Sequence, residues 1–284
     1  MAQHYGRAYD RRKRDDRTGI ILMALALLAA VLGAYTVYAT REPARNKENG
    51  CPIGRHTAPQ ARTFVLVDQT DALPKSELDF ARDLIRNEYF WLPINGVLTI
   101  RTISASVDTD VDTITVCRVK VGSEGNGITN NPVALDKQFR AMVGKRLDKF
   151  LADLEKTPVQ PASPIAESVG TLFRRTDFGP DVKKRRVVIL SDMAQYSRVF
   201  SQYGRSDRRR YQIPKALIEQ YGSDMKGAEI RIQYVRRPSI RFQGERHREF
   251  WESYFRDQGA DVALGHALAL GEPSDRSVWH DDKM

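Results

Sequence analysis

The sequence predicts an α/β domain on a doubly wound, mainly parallel sheet with an antiparallel edge strand, preceded by one transmembrane helix. Three observations predict it. Short runs rich in Val, Ile and Leu alternate with amphipathic helical stretches, the pattern of a sheet covered by helices on both faces. Two of these runs, Thr63-Phe64-Val65-Leu66-Val67-Asp68 and Arg186-Val187-Val188-Ile189-Leu190-Ser191-Asp192, end in a carboxylate. Ahead of them lies an uncharged apolar stretch over 19–39.

That stretch is long enough to cross a bilayer as a helix, which takes about 20 apolar residues. Tyr35 and Tyr38 lie near one end, where amphipathic rings favour the interface. Six basic residues, Arg7, Arg11, Arg12, Lys13, Arg14 and Arg17, precede the stretch, against Arg41, Arg45 and Lys47 just after it. The positive-inside bias therefore sets 1–18 as a cytoplasmic basic tail and exports the rest. A cleaved signal peptide is the rival reading, with Val37-Tyr38-Ala39 at a plausible cleavage position. The length of the apolar run favours a retained anchor.

Residues 40–62 read as a polar linker with Pro43, Pro52 and Pro59, and 63–268 as the domain. Within it the spacing predicts strands at 63–68, 96–104, 112–121, 186–191, 229–235 and 260–264. Helices are expected at 75–89, 133–155, from 163 onward, 213–225 and 248–258. Ser163 reads as the cap of its helix and Pro164 as the first helical residue. The runs at 96–104 and 112–121 read as the antiparallel pair or edge. The Trp251, Tyr254 and Phe255 stripe reads as core in preference to an interface. The tail, 269–284, is polar and expected to be flexible.

Both cysteines, Cys51 and Cys117, fall on the exported side, where disulfides persist. Two readings stand: a bridge pinning the segment before the first strand to the sheet, or two buried thiols. The net charge is +9 over 284 residues. Much of it is clustered, as in Arg205, Arg208, Arg209 and Arg210. Such a patch suits an anionic partner, or is a solvated face beside a membrane. Nucleic acid is disfavoured, because no aromatic side chains are interleaved for base stacking.

In an open α/β sheet the ligand crevice lies beyond the carboxyl ends of the strands. Asp68, Thr70, Asp71, Ser191 and Asp192 are thus expected on one rim, a set of small oxygen ligands without a nucleophile. There is no Gly-x-Ser-x-Gly elbow. The five histidines have no zinc spacing, and His247 reads as a surface or capping residue. No Gly-rich phosphate loop is present.

The exported α/β order, the acidic strand ends, Ser163-Pro164-Ile165 and Ile189-Leu190-Ser191-Asp192 together resemble the von Willebrand factor A fold over roughly 60–265. That resemblance implies a binding module of a bacterial inner-membrane protein, single-pass, with its domain in the periplasm or outside the cell. It implies a protein partner in the envelope and no enzymatic activity. It also implies a degenerate metal-ion-dependent adhesion site taking Mg²⁺ or Mn²⁺. The family's first loop, Asp-x-Ser-x-Ser, is here Asp68-Gln69-Thr70-Asp71-Ala72, with the second hydroxyl missing. Ser163 and Asp192 stand nearest to the remaining ligand positions. Against the metal stands the reading in which Asp68 and Asp192 bond loop amides or cap helices. Two other functions are weighed. A haloacid dehalogenase-like phosphatase would need a second Asp where Thr70 stands. A purely structural role in a secretion or conjugation assembly would need no cation at all.

Overall fold

In the computed structural model the described residues are 3–40, 44–54, 59–70, 73–103, 114–125, 131–156, 161–265 and 268–269. They fall into two compact units, 1–44 and 45–284. The first unit is the helix α1 (Gln3–Thr40). Its window Gly19–Thr36 has a mean hydropathy of 2.2, and none of that window is buried. Length and composition alone fit a membrane anchor or a signal peptide. The helix continues well ahead of the expected span at 19–39.

The second unit is the sheet domain. Its strands are β1 (Ala61–Asp68), β2 (Val97–Ile103), β3 (Ile114–Cys117), β4 (Lys184–Ser191), β5 (Ala228–Arg236), β6 (Asp261–Leu264) and β7 (Leu268–Ala269). The spatial order is β3-β2-β1-β4-β5-β6, with β7 pairing to β5. All neighbours are parallel except β2 and β3. The expected antiparallel edge is therefore present. The order reverses between β1 and β4, which is the switch point of a doubly wound sheet.

The helices are α2 (Lys75–Trp91), α3 (Pro132–Phe139), α4 (Lys145–Leu154), α5 (Ile165–Phe173), α6 (Asp207–Arg210), α7 (Lys215–Tyr221) and α8 (Glu245–Arg256). Side chains alternate across a strand, so β1 serves two cores. Phe64 and Leu66 join Val187, Ile189, Ile230 and Ile232 beneath α5, α7 and α8. Val65 and Val67 join Val188 and Leu190 beneath α2 and α4. Trp251, Tyr254 and Phe255 are buried in the first core, as their spacing predicts.

Several boundaries shift for local reasons. The helix expected over 133–155 is two helices joined by a π turn, Arg140–Gly144. The one expected over 213–225 stops at Tyr221, because Gly222 leaves helical geometry and its amide closes on the Ile218 carbonyl. The helix expected from 248 begins a turn earlier. Within the expected linker, 40–62, the described residues 44–54 are folded against the domain. Asn46 and Gly50 close a turn, Cys117 N donates to Asn49 O at 2.9 Å, and Cys51 is bonded to Cys117. Gly50, at φ +72°, sits where a Cβ would meet Val119 at 2.8 Å. Both the positive φ and the close approach require glycine there. The tail beyond Ala269 lies outside the described residues.

Candidate functional site at the carboxyl ends of the central strands

β1 ends at Asp68 and β4 at Ser191, side by side at the switch point. The Asp68 carboxylate is 6% exposed. One oxygen accepts from Thr70 N at 3.0 Å and from Thr70 Oγ1 at 2.9 Å. The other accepts from Ser163 Oγ at 2.9 Å and from Ser191 Oγ at 2.6 Å. Four donors match the four lone-pair positions of a carboxylate. Three of them are hydroxyls brought from residues 70, 163 and 191. Ser163 is held in place by reciprocal backbone bonds with Tyr196, each 2.9 Å.

Ser163 does not cap its helix, which is a correction. Pro164 occupies the capping position and Ile165 is the first helical residue. The free Ala166 amide is instead met by Gln195 Oε1 at 3.1 Å. This substitution frees the Ser163 hydroxyl to turn toward Asp68.

Asp192 follows at the turn out of β4, 5% exposed. One of its oxygens accepts from Ala194 N at 2.8 Å, and the other lies 4.0 Å from Arg237 Nε. Arg237 in turn grips buried Glu77 with two bonds of 2.6 and 2.8 Å. Asp192 thus sits on the rim with Asp68, but its charge is faced by an arginine. Asp71 lies outside the described residues. The next residue, Met193, is fully buried at φ +61°, a backbone region that a bulky side chain rarely adopts. Its amide donates to Ser191 Oγ at 2.7 Å, and its carbonyl accepts from Trp251 Nε1 at 2.8 Å. Backbone strain held in this way concentrates at functional turns.

Above the carboxylate opens a cleft of about 370 Å³, lined by Thr70, Ser163, Ala194, Tyr196 and Tyr203 among others. Tyr196 and Tyr203 are 49% and 45% exposed, and their rings meet edge to face at 6.0 Å. The segment carrying them is fastened from below. Buried Glu167 accepts from Gln195 Nε2 at 2.7 Å and from the Ser197 hydroxyl.

Two features singled out in the sequence are placed here. Arg205, Arg208 and Arg209 are exposed, but Arg210 is half-buried. Its guanidinium donates to Gln202 O at 2.9 Å and Arg205 O at 2.6 Å, and lies 4.7 Å from the Phe242 ring centroid. Arg210 therefore braces the segment. His247 is neither at the surface nor a cap. It is fully buried, with Nδ1 2.6 Å from Tyr234 Oη and Nε2 2.9 Å from Gln202 Oε1. The early start of α8 brings it onto the same face as Trp251, four residues on.

Burial pushes the His247 imidazole down to about 3, with Arg210 adding to the shift and a backbone contact at Met193 opposing it. Between pH 3 and its ordinary value of 6.5 the unfolded chain binds a proton that the folded chain refuses. Stability is thus lost as pH falls through that window, by up to about 1.4 kcal/mol per pH unit from this group. Urea midpoints of the wild type and His247→Gln, followed from pH 7 downward, check it. The variant is expected to show the shallower decline, and equal slopes would exclude His247 as a source of acid sensitivity.

Sequence reasoning placed Ser191 on the rim but did not count it among the ligands that the family resemblance implies. It also missed the Glu167–Gln195 brace and the two cleft tyrosines. For Ser191 a signal exists, since a strand's last residue stands on the crevice rim. For the others no local pattern announces the contact.

Fold and site together define a doubly wound α/β domain with a hydroxyl-lined acidic crevice at its switch point. No protein-family profile and no curated protein matches the sequence. Among solved structures, a similar chain is a von Willebrand factor type A protein from Catenulispora acidiphila, at 11% identity and a TM-score of 0.40. The match covers 74% of this chain and 39% of that one, so the chain spans well under half the length of that structure.

Proposed function

We propose that this chain is a single-pass binding module of a bacterial envelope, with its N-terminus in the cytoplasm and its sheet domain outside the inner membrane. The domain docks a protein partner at the crevice of β1 and β4. One observation carries the reading: three hydroxyls from separate segments converge on one buried carboxylate, beneath a cleft walled by exposed tyrosines. Tyrosines supply large contact area at low entropic cost.

The donor set fits a hard divalent cation, Mg²⁺ or Mn²⁺, which takes oxygen ligands and retains waters. Thr70 and Ser163 would hold it by their hydroxyl oxygens, with Ser191 beside them, and Asp68 would join them by giving up one of the four hydrogen bonds it now accepts. Asp192 fits less well, since Arg237 faces it. When bound, the cation would offer a coordination position to an acidic side chain of the partner. Thr70 and Ser163 shape the opening, and Tyr196 and Tyr203 wall it. A hydrolytic role has less support: Thr70 stands where a dehalogenase-like site needs an acid, and it donates to Asp68.

Calorimetric titration of the full chain in detergent micelles with Mg²⁺ and with Mn²⁺ tests the cation. A one-site isotherm is expected, abolished by Asp68→Ala. Thr70→Val, which leaves the Ser163 and Ser191 bonds to Asp68 intact, is expected to weaken it at least about tenfold, the scale on which even outer partners of a metal act. Flat traces with both metals would remove the cation. Partner capture would then survive chelation, the mark of the metal-free, structural alternative.

A further inference from the structure

Arg185 breaks the period of β4. Side chains alternate across a strand, so Arg185 shares the face of Val187 and Ile189, which pack in the core beneath α5, α7 and α8. An arginine stands where the pattern calls for an apolar residue, and it is 8% exposed. Its Nη1 donates to Phe178 O at 3.4 Å and its Nη2 to Lys226 O, and the guanidinium lies 5.8 Å from the Phe173 ring centroid. These neighbours are neutral. Two carbonyls occupy two of the five N–H donors of a guanidinium and leave its charge uncompensated. Buried Arg62, Arg118 and Arg186 each hold a carboxylate, at 2.8, 2.6 and 2.7 Å. Arg185 holds none among the described residues. A charge buried without a counter-charge is costly, which sets Arg185 apart from the other three.

There is room beside it for an anion. Arg185 lines a cavity of about 430 Å³ together with Phe173, Arg174, Pro180, Asp224 and Lys226 among others. It is the second residue of β4 and pairs with Ala228, which opens β5. The cavity therefore lies where these strands begin, at the end of the sheet opposite the Asp68 crevice. Arg174 is fixed there by Nη2, which donates to Gln220 O and, at 3.4 Å, to Gly222 O. Lys226 is exposed, and neither it nor Arg174 has an ion-pair partner among the described residues. Asp224 is the only carboxylate among the described lining residues, and its Oδ1 accepts from Lys226 N at 3.0 Å. Three cations against one carboxylate leave a surplus of two positive charges.

We propose that this cavity binds a phosphate monoester with a compact organic body. Such a group carries roughly two negative charges at pH 7, which matches the surplus, whereas a single carboxylate would leave half of it. The planar fork of an arginine meets phosphate oxygens in pairs, and a lysine adds a point charge. Buried Arg185 supplies the first at the floor of the cavity and exposed Lys226 the second at its mouth. The volume falls in the range of small-molecule sites, about 300–1,000 Å³, so it admits more than the phosphate. Phe173 and Pro180 offer apolar surface to the remainder.

The test is calorimetric titration of the full chain in detergent micelles at low salt, with chelator present so that no divalent cation takes part. The probes are phenyl phosphate, inorganic phosphate and benzoate. Phenyl phosphate is expected to give a one-site isotherm, at least about tenfold tighter than either of the others, the worth of one charge-assisted hydrogen bond. Its affinity should fall between pH 7 and pH 5, as the phosphate takes up its second proton near pH 6. Arg185→Lys keeps the charge and loses the fork, and should weaken binding about tenfold. Lys226→Glu changes an exposed side chain, so it should weaken binding by at least as much while keeping the wild-type melting temperature. Asp68→Ala should leave the isotherm unchanged. A flat trace with millimolar phenyl phosphate, or an isotherm indifferent to Lys226→Glu, would overturn the proposal and leave the crevice reading standing. Loss of binding in Asp68→Ala would move the anion to the crevice, and so also overturn it. Benzoate or inorganic phosphate binding as tightly as phenyl phosphate would assign the cavity to a carboxylate or to free phosphate, and overturn the monoester.

Discussion

Arg186→Met is expected to lower the stability of the domain by about 3–5 kcal/mol, the cost of breaking a buried ion pair from one side. Arg186 lies inside β4 with its side chain 3% exposed, and gives Nη1 to Glu88 Oε2 at 3.0 Å and Nη2 to Glu229 Oε2 at 2.7 Å. The Glu88 side chain is 6% exposed, so its charge would be left in a poorly solvating interior. Glu229 fares better, because Arg231 also binds it. Burial works to raise the Glu229 carboxyl, but Arg231 and Arg186 overcome it and hold the pKa below its ordinary value. The double variant Arg186→Met, Glu88→Met should recover most of the loss, since an apolar replacement of a buried pair is often neutral or better. Urea unfolding in detergent, read by tryptophan fluorescence, measures each step. A single-variant deficit under 1 kcal/mol would show that the pair is solvated and that the network contributes little.

Removing the disulfide by Cys51→Ser with Cys117→Ser is expected to cost about 4 kcal/mol on the chain-entropy scale for a loop of this size. The two cysteines are 66 residues apart, and the loop between them encloses β1, α2 and β2. In the unfolded state the bridge restricts that whole loop. In the folded state it fixes residues 45–52 against the edge strand, where Gly50 packs on Val119. The loss should appear as a drop in the urea midpoint, with the sheet core still cooperative. Segment 45–52 should gain early hydrogen exchange, while β1 and β4 keep their protection. An unchanged midpoint would mean that the unfolded chain is already compact around this loop.

The pieces of the fold that could be read from sequence were those carried by period and run length. The apolar runs at 63–68 and 186–191 became the two central strands because their Val, Ile and Leu side chains fit burial on both faces. The stripe through Trp251, Tyr254 and Phe255 became core because its spacing matches one helix face. Helix ends were harder. Gly222 stops α7 and Gly144 lies in the π turn before α4, local effects that an apolar periodicity hides. The start of α8 at Glu245 came a turn early and carried His247 inside. The Ser163-Pro164 pair was misread because the capping partner, Gln195, comes from another part of the chain.

Sequence by itself determined the class of this protein: an apolar helix followed by an α/β domain with acid-ended strands and two cysteines on one side of the helix. These follow from composition and periodicity, which act over a few residues at a time. Only the tertiary structure decided which oxygens meet. Asp68 gathers Ser163 and Ser191 from 95 and 123 residues away, and Arg237 reaches Glu77 across 160. Contacts at such separations depend on strand order and on the turn after β4, and side-chain spacing along the chain carries no record of either.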